Sequence, residues 1–407
     1  DKTGLSLSVE NPQFKTYFDF SVSLGADKIS VLNDKKRNVF STENTFIRIQ
    51  PFGLIFKELN LKEFRAKNVE FNVSELDKKL LEELLKKDKD MLLDVKANNS
   101  KVETDGYRIY YYDEVRKKDI VLEGQTFDIK PVKRGLSCLT TDGNFKIGDK
   151  IARFNVNILS KFLFKKKFNF KDFSVTGNIN GIELSAFEPY LNCFGKYENA
   201  KGEADIVFNS AFVDKNTNLS EINIKLKDIS VNEGDFEHQT IARGESKIKT
   251  KLRASGKMLE VEELAVDGDG FSLRGKGKVE NYTSDKPYLD LALLLSPSKA
   301  AKILDLLPYG ICQEINVVKK AGVSGDVSGA LKIIGKIPEI RLFGNVEATN
   351  VVALRGKTNP HKGTIKLYFK DEEVYTDICV ETPENQKFFM TGTGQIYDKK
   401  PSEFNIK

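Results

Sequence analysis

Few residues in this chain could perform covalent chemistry. The two histidines, His238 and His361, lie in polar, turn-like sequences, EGDFEHQ and NPHKG. Neither accompanies a cysteine or serine signature, whereas a general base or an activated nucleophile needs a partner within hydrogen-bonding reach. Carboxylate pairs such as Glu262–Glu263 and Glu372–Glu373 are typical of a solvated face in a chain whose residues are 30% charged. The sequence therefore indicates a protein that is not an enzyme.

Metal chemistry is also poorly supported. The segment Asp267–Gly270 (DGDG) resembles the start of a calcium loop but lacks the further oxygen ligands and the closing Glu, so it predicts a tight turn. Cys138, Cys193, Cys312 and Cys379 are widely separated, lie beside apolar residues and show no zinc spacing. They are expected to be buried and inert, or joined in one of three possible disulfide pairings. No metal and no cofactor is expected.

Phosphate, nucleic-acid and membrane-spanning motifs are absent from the sequence. The glycine-rich stretch Gly322–Gly335 lacks the Gly-Lys-Ser/Thr ending of a phosphate loop, and its glycines predict bends or close strand approach instead. The net charge of +5 is a small difference between 64 basic and 59 acidic residues. No basic stripe points to nucleic acid. The most apolar stretch, Leu289–Leu295, contains Asp290 and is far shorter than the roughly 20 residues that a membrane helix needs.

Alternation of apolar and polar residues predicts strands through most of the chain. Clear examples are Leu5–Val9, Phe18–Leu24, Phe46–Ile49, Val69–Val73, Asp205–Phe208, Glu221–Val231, Ser246–Leu252, Ala330–Ile334, Thr364–Phe369 and Val374–Val380. Turns are predicted at Asp142–Gly143, Asp267–Gly270 and Asn359–Pro360. The fold class is therefore mostly β.

A six-residue phrase recurs four times. It reads LNLKEF at 59–64, FNFKDF at 168–173, IKLKDI at 224–229 and LEVEEL at 259–264. Apolar residues before and after the charged pair can share one face of a strand only if the pair adds one residue, as a β-bulge does. Because bulges bend strands, the phrase predicts a curved sheet.

Three short helices are expected, each after a strand and a serine. Ser74, Ser185 and Ser296 are equally spaced along the chain and suit helix N-caps, and Pro297 suits a first helical turn. The helix after Ser74 would extend through Leu85. A unit of sheet plus short helix is therefore expected to repeat. The approximate units are 1–95, 96–195, 196–310 and 311–407 of one elongated repeat domain.

Two segments resemble the AsmA-like family. Residues 46–74 (FIRIQPFGLIFKELNLKEFRAKNVEFNVS) are similar to its N-terminal unit, and residues 322–352 (GVSGDVSGALKIIGKIPEIRLFGNVEATNVV) are similar to the repeat of TamB-like members. The resemblance implies an elongated, curved antiparallel sheet that forms an open apolar groove with a few short helices. It also implies a bridge-like lipid carrier without covalent chemistry, which passes phospholipids between the inner and outer membranes.

The same resemblance implies a location and partners. The full-length protein would reside in the periplasm of a diderm bacterium, anchored in the inner membrane by a segment outside this chain, with phospholipids as its partners. Because the chain begins at Asp1 and stops at Lys407 after a strand-like run, we expect a fragment of a longer chain. The alternative is an envelope assembly role, in which a free edge strand pairs with an outer-membrane protein. A carbohydrate-active solenoid is disfavoured because neither a short rung period nor clustered carboxylates is found.

Parity along the strands predicts which side chains line the groove. They are Leu59, Leu61, Phe64, Phe168, Phe170, Phe173, Leu226, Ile229, Leu291, Leu293 and Leu295. Acyl chains need a continuous apolar surface, which alternate residues of such strands provide. The competing interpretation is a closed core beneath the short helices.

Overall fold

The chain is built almost entirely of strands. A computed structural model describes residues 5–52, 58–75, 94–96, 100–114, 117–132, 136–160, 173–191, 197–214, 216–233, 238–282, 284, 286–306, 323–336, 339–353, 362–382, 384–395 and 403–406. The predicted fold class, mostly β with a curved antiparallel sheet that does not close, is confirmed. Two compact units are present, residues 1–186 with 207–215 and residues 187–206 with 216–407. The division into four repeat units stays a prediction.

The first unit contains eleven strands among its described residues. They are β1 Ser6–Glu10, β2 Gln13–Thr16, β3 Val22–Leu32, β4 Asn38–Gln50, β5 Glu58–Asn72, β6 Asp94–Lys96, β7 Lys101–Asp113, β8 Lys118–Val132, β9 Leu136–Ile147, β10 Lys150–Ser160 and β11 Ser174–Glu183. β12 (Tyr197–Phe212) divides its residues between the two units.

The second unit continues with strands β13 to β23. They are β13 Thr217–Glu233, β14 His238–Ser255, β15 Met258–Gly268, β16 Phe271–Glu280, β17 Tyr288–Lys299, β18 Val323–Lys336, β19 Ile340–Ala353, β20 Lys362–Asp371, β21 Glu373–Glu381, β22 Lys387–Gln395 and β23 Glu403–Ile406. Two short helices belong to this unit, α1 (Glu188–Leu191) and α2 (Ala300–Leu306).

Neighbours in sequence are mostly neighbours in the sheet. β7 to β11 and β13 to β23 each form an antiparallel meander. β1 departs from this order because it pairs with β3, and β5 departs from it because it pairs in parallel with β6 and β7. Parallel neighbours run in the same direction, so a hairpin turn cannot join β5 to β7.

The strand register shifts at the charged pair of the repeated phrase wherever the structure describes it. In β15 the pairing with β16 shifts between Val261 and Leu264, and in β5 the shift toward β4 falls at Lys62, so in both strands the extra residue lies within the pair. In β13 the pairing with β14 shifts between Lys227 and Ile229, but the extra residue lies on β14. The bulge prediction is therefore confirmed for two copies. The copy at 168–173 lies outside the described strands.

Residues with a left-handed backbone also lie beside each other on neighbouring strands. In the first unit Asn68 on β5 and Gly106 on β7 lie opposite each other, and both have a left-handed backbone, with φ of 47° and 80°. In the second unit Asp228 on β13, with φ of 48°, accepts a 3.1 Å hydrogen bond from the N–H of Gly244 on β14. Asn, Asp and Gly are the residues that tolerate this conformation, so their alignment bends several strands along one line.

The predicted helix starts are wrong in detail. Ser296 and Pro297 belong to β17, which continues to Lys299, and α2 begins only at Ala300. The strand persists because the Lys299 N–H donates to the Gly270 carbonyl at 2.7 Å, and the buried Ser298 hydroxyl accepts from the Ser272 N–H at 3.2 Å. A bulge absorbs Pro297, which has no N–H to donate.

The other two serines do not cap helices either. Ser185 lies inside the 3₁₀ helix Leu184–Phe187, and Ser74 lies inside the 3₁₀ helix Val73–Glu75. The hydroxyl of Ser74 instead accepts a 2.7 Å hydrogen bond from the N–H of Tyr112 on β7. The helix predicted through Leu85 lies outside the described residues.

Two further local predictions are corrected. Asp142–Gly143 is not a turn but the middle of β9, where a side chain in place of the Gly143 hydrogen would clash with the Glu123 backbone. The strand predicted over Phe18–Leu24 begins at Val22, because residues 17–21 form a turn closed by a 2.9 Å bond from the Tyr17 N–H to the Ser21 carbonyl. The turn predicted at 267–270 is confirmed, whereas Asn359–Pro360 lies outside the description.

The core of the first unit is a row of apolar residues across its sheet. Val102, Ile129 and Leu139 are buried on adjacent strands, with Phe64 and Ile158 packed against them. Each is the direct cross-strand partner of the next, so the row follows the pairing register. Large side chains are thus buried where the strands of this unit meet.

Candidate functional site

One face of the second unit is apolar across successive strands. The register aligns every second residue, so one row runs through Leu264, Gly275, Leu293, Leu331, Gly344, Phe369 and Val374. The next row runs through Val266, Leu273, Leu295, Gly329, Val346 and Leu367. We call the surface formed by these rows the apolar face.

The apolar face is only partly covered. Its leucines and valines are half-buried, and Phe388 on β22 is 52% exposed. Among the residues that the structure describes in this unit, the fully buried hydrophobic ones are all alanines: Ala200, Ala204, Ala265 and Ala300. Rows of large side chains that all stay partly exposed form a surface and not a closed core.

A depression of about 590 Å³ lies in this unit, lined by residues of β15 to β19. Its lining takes residues of both alternations: Leu264, Leu293 and Leu331 as well as Arg274, Leu294 and Lys332. A Cβ atom at Gly275 would lie 2.9 Å from the Leu293 Cδ2 atom and 3.2 Å from the Leu264 Cδ2 atom. The two leucine side chains therefore pack together over Gly275 on the apolar face.

The opposite face carries cross-strand ion pairs. They include Lys225–Glu245 at 2.7 Å, Lys249–Glu263 at 3.4 Å, Lys332–Asp290 at 3.4 Å and Lys366–Glu347 at 3.2 Å. Such exposed pairs each contribute little to stability. They do give this sheet one charged face and one apolar face.

Hydrogen bonds from basic side chains lower the pKa values of two carboxyl groups on the charged face. Hydrogen bonds from Arg274, at 2.7 and 3.0 Å, and from Ser272 hold the pKa of the Asp267 carboxyl below its ordinary value. The hydrogen bond from Lys225 similarly lowers the pKa of Glu245. Both carboxylates stay ionised at neutral pH, so neither acts as a general acid.

In the first unit the equivalent apolar surface is interrupted by polar groups. Tyr107 is buried on β7, and its hydroxyl lies 2.6 Å from the Thr141 Oγ1 atom on β9. Burial raises the pKa of Tyr107 above its ordinary value. The hydroxyl pair is satisfied within the sheet, which indicates a structural role.

A polar cleft of about 1050 Å³ crosses β4 to β10 in this unit. Arg108 lies 3.7 Å from Glu70 and 3.6 Å from Glu123, and Lys146 lies 2.5 Å from Glu123. The hydrogen bond from Lys146 lowers the pKa of Glu123. Because these charges satisfy one another, the cleft presents neither a poised acid and base nor a set of like charges for a ligand.

The predicted lining residues that can be located occupy two places. Leu291, Leu293 and Leu295 alternate on the apolar face of β17, and on β13 Leu226 pairs with Ser246 and Ile229 with Ala242. Their side chains are half-buried.

The remaining lining residues belong to the first unit. Leu61 and Phe64 are half-buried on one face of β5, and Leu59 pairs with Val95. Phe173 precedes β11, and its ring lies 6.1 Å from that of Phe212 in an edge-to-face contact. Phe168 and Phe170 lie outside the described residues.

The parity argument missed the later part of the apolar face. Leu331 on β18 and Leu367 on β20 belong to the two rows, and Ile333 on β18 and Leu342 on β19 continue a further row from Leu291. These strands also alternate in sequence, but the lining prediction ended at Leu295.

No chemical centre emerges from the described part of the chain. Cys138 and Cys379 are free, half-buried thiols, and Cys193 and Cys312 lie outside it. No cluster of His, Cys, Asp and Glu side chains there could hold a metal ion. His238 begins β14, and His361 lies outside the description. No described helix is long and apolar enough to span a bilayer.

Comparison with known proteins does not narrow the class further. No family model, no curated protein and no solved structure matches the chain. The fold and the site define a protein with an open antiparallel β-sheet that has an apolar and a charged face.

Proposed function

We propose that this protein is an AsmA-like lipid carrier whose apolar face holds phospholipid acyl chains. Lipid would pass along the rows of Leu, Val, Ile and Phe between the inner and outer membranes, with headgroups in solvent and no covalent step. The periplasmic location and the inner-membrane anchor belong to the same proposal, since both come from the sequence resemblance.

The observation that carries the proposal is the partly exposed apolar face. Folding gains about 25 cal/mol for each Å² of apolar surface removed from water, so leaving whole rows of Leu and Val partly exposed forgoes stability. Contiguous apolar surface of that kind is typical of an interaction site. Among the residues described in the second unit, no large buried core is present that would explain why every second residue of these strands is apolar.

The free energy of burying an acyl chain favours lipid that moves along the apolar face over lipid that is bound tightly. Each buried methylene contributes about 0.8 kcal/mol, so an ordinary acyl chain would gain on the order of 10 kcal/mol on the apolar face. An acyl chain gains a comparable free energy when it is buried in a bilayer. A surface that matches the bilayer would let lipid enter and leave without a deep energetic trap.

Co-purification tests the proposal directly. The chain, expressed in a diderm bacterium and purified without detergent, should carry phospholipid that mass spectrometry detects in stoichiometric amount. It should also accelerate transfer of a fluorescent phospholipid between vesicles. Absence of bound phospholipid together with no transfer would overturn the proposal.

Strand pairing in outer-membrane protein assembly is the second candidate function. Among the described pairings, β1 and β2 contact β3 alone, and β23 contacts β22 alone. Terminal strands of this kind can accept a partner strand. A cysteine at Ser8 on β1 that forms crosslinks to an outer-membrane protein in cells would support this function, and a lack of crosslinks would count against it.

A further inference from the structure

Three exposed phenylalanines lie at one end of the first unit. Phe18 and Phe20 lie in the turn between β2 and β3, and Phe52 follows β4. Phe18 is fully exposed, Phe20 is 69% exposed and Phe52 is 54% exposed. The rings of Phe20 and Phe52 are 5.7 Å apart in an edge-to-face contact. Connections between strands are ordinarily polar, so this cluster calls for a function.

The backbone of this turn is strained in a way that presents the rings. Phe20 has φ of 58°, a left-handed conformation that is unfavourable for a bulky residue. A 3.0 Å bond from the Phe20 N–H to the Tyr17 carbonyl holds it there. Strain of this type persists where the surrounding structure enforces it and is concentrated at functional sites.

A network of charges fixes the turn to the sheet. The Asp19 carboxylate accepts from Arg48 at 3.1 Å, from Lys62 at 3.1 Å and from the Ser21 hydroxyl at 2.6 Å. Arg48 also lies over the Tyr17 ring, 4.1 Å from its centroid. Because β4 and β5 hold Asp19 from two sides, the neighbouring Phe18 and Phe20 are directed away from the sheet as a rigid tip.

The cluster is surrounded by net positive charge. Arg48 and Lys62 share the Asp19 carboxylate, and the Lys15 Nζ atom lies 5.7 Å from the centroid of the Tyr17 ring. Three cations against one carboxylate leave an excess that attracts anionic headgroups. Exposed aromatic rings beside basic side chains are the composition of interfacial membrane anchors.

Other connections leave the sheet at the same end. β8 ends at Val132 where β9 begins, and β10 ends at Ser160 opposite the start of β11. The sequences that follow these ends are KRG at 133–135, which is basic, and KFLFKKKFNFKD at 161–172, which is rich in Lys and Phe. Their residues lie outside the described structure and are not part of the site. Together these sequences contain the same types of residue, basic and aromatic, as the cluster around Phe18 and Phe20.

We propose that Phe18, Phe20 and Phe52, with Lys15, Arg48 and Lys62 around them, form an aromatic tip that inserts into the headgroup region of an anionic lipid bilayer. The surface would bring one end of the sheet to the membrane. It is independent of whether the apolar face carries lipid, and therefore goes beyond the function proposed above.

Since the chain contains no Trp, insertion can be observed at a single introduced residue. Phe18→Trp places the probe at the tip, and Phe389→Trp places it at an exposed Phe of β22 in the second unit. On addition of phosphatidylglycerol vesicles, Trp fluorescence of the first variant should shift to shorter wavelength and be quenched by brominated lipid. The second variant should show neither effect.

Sedimentation with vesicles measures the strength of docking. The protein should bind vesicles that contain phosphatidylglycerol, and bind those of pure phosphatidylcholine several-fold less, with the difference shrinking at high salt. Because burying a Phe ring is worth about a tenfold change in partitioning or more, the pair Phe18→Ser and Phe52→Ser should lower binding by roughly 100-fold. Phe389→Ser is the matched control and should bind like the native chain.

Each outcome decides the proposal. Equal vesicle binding by the native chain and the double variant, with both folded by circular dichroism, would overturn it, as would failure of the native chain to bind. Self-association that depends on Phe18 without vesicle binding would also overturn it, in favour of contact between two copies. The variant Leu293→Asp should dock normally, so a failure of lipid carriage and a failure of docking are distinguishable.

Discussion

Val261 and Leu264 lie on the same face of β15 although three positions separate them along the chain. Their partners on β16 are Gly277 and Gly275, which are only two positions apart. Side chains alternate strictly in a regular strand, so the shared face requires the extra residue that the Glu262–Glu263 pair supplies. The bulge also places Glu262 2.8 Å from Arg253 on the neighbouring strand.

Deleting Glu262 tests the bulge. Without the extra residue, Leu259 and Val261 would turn to the charged face or the strand would slip, because a shift of one residue reverses every side chain. We expect a loss of about 2–4 kcal/mol in unfolding free energy, measured by urea denaturation. The matched variant Glu262→Gln keeps the residue count and should lose less than about 1 kcal/mol. Equal effects of the two changes would contradict the bulge interpretation.

Two neighbouring glycines on β16 should respond differently to alanine. Gly277 has φ of 150°, and a Cβ atom there would clash with the Asp290 carbonyl oxygen, so Gly277→Ala should cost about 2–3 kcal/mol. Gly275 faces movable methyl groups of Leu293 and Leu264, so Gly275→Ala should cost less than about 1 kcal/mol. Thermal unfolding of both variants checks the contrast. A larger cost at Gly275 would contradict the described strand register.

Stability should fall in acid partly through Asp267. Hydrogen bonds from Arg274 and Ser272 lower its pKa in the folded chain below the ordinary 3.8. A lowered carboxyl pKa contributes stability above the ordinary value, and that contribution is lost as the pH falls through the folded pKa. Because the pair is exposed, the effect is about 0.5–1 kcal/mol. Urea unfolding at pH 6 and pH 3 should show a smaller acid loss for Asp267→Asn than for the native chain, and an identical loss would contradict the assignment.

Replacing Phe20 should separate stability from membrane docking. Phe20→Gly relieves the left-handed strain, so its thermal unfolding should show a gain of roughly 0.5–1 kcal/mol in spite of the lost contact with Phe52. The same variant should bind anionic vesicles more weakly because a ring is missing from the tip. A variant that was both less stable and equally membrane-bound would show that the ring serves packing alone.

The sequence predicted those features that depend on local periodicity. Alternation predicted the mostly β fold, and the change of phase inside LNLKEF and LEVEEL predicted the bulges at Lys62 and at Glu262. The apolar positions of β17 followed from the same parity. These signals are contained within a few consecutive residues, so no knowledge of the partner strand was needed.

Features that depend on partners far along the chain could not be predicted in this way. The parallel pairing of β5 with β7 leaves no mark in either strand. Ser296 resembled an N-cap because the hydrogen bond from Lys299 to Gly270, which keeps the segment in the sheet, joins distant residues. The alternation at Phe18 resembled a strand, because the turn there is fixed by Asp19 accepting from Arg48 and Lys62.

The central claim is that the apolar face carries lipid, and two adjacent leucines of β17 test it most directly. Leu293 lies on the apolar face between Gly275 and Leu331, whereas Leu294 points to the charged face and is 52% exposed. Phospholipid that co-purifies with Leu293→Asp and with Leu294→Asp should be quantified by mass spectrometry on folded protein. We predict that Leu293→Asp loses most of its phospholipid and that Leu294→Asp retains the native amount. Equal phospholipid in the two variants, or none in the native chain, would contradict the account.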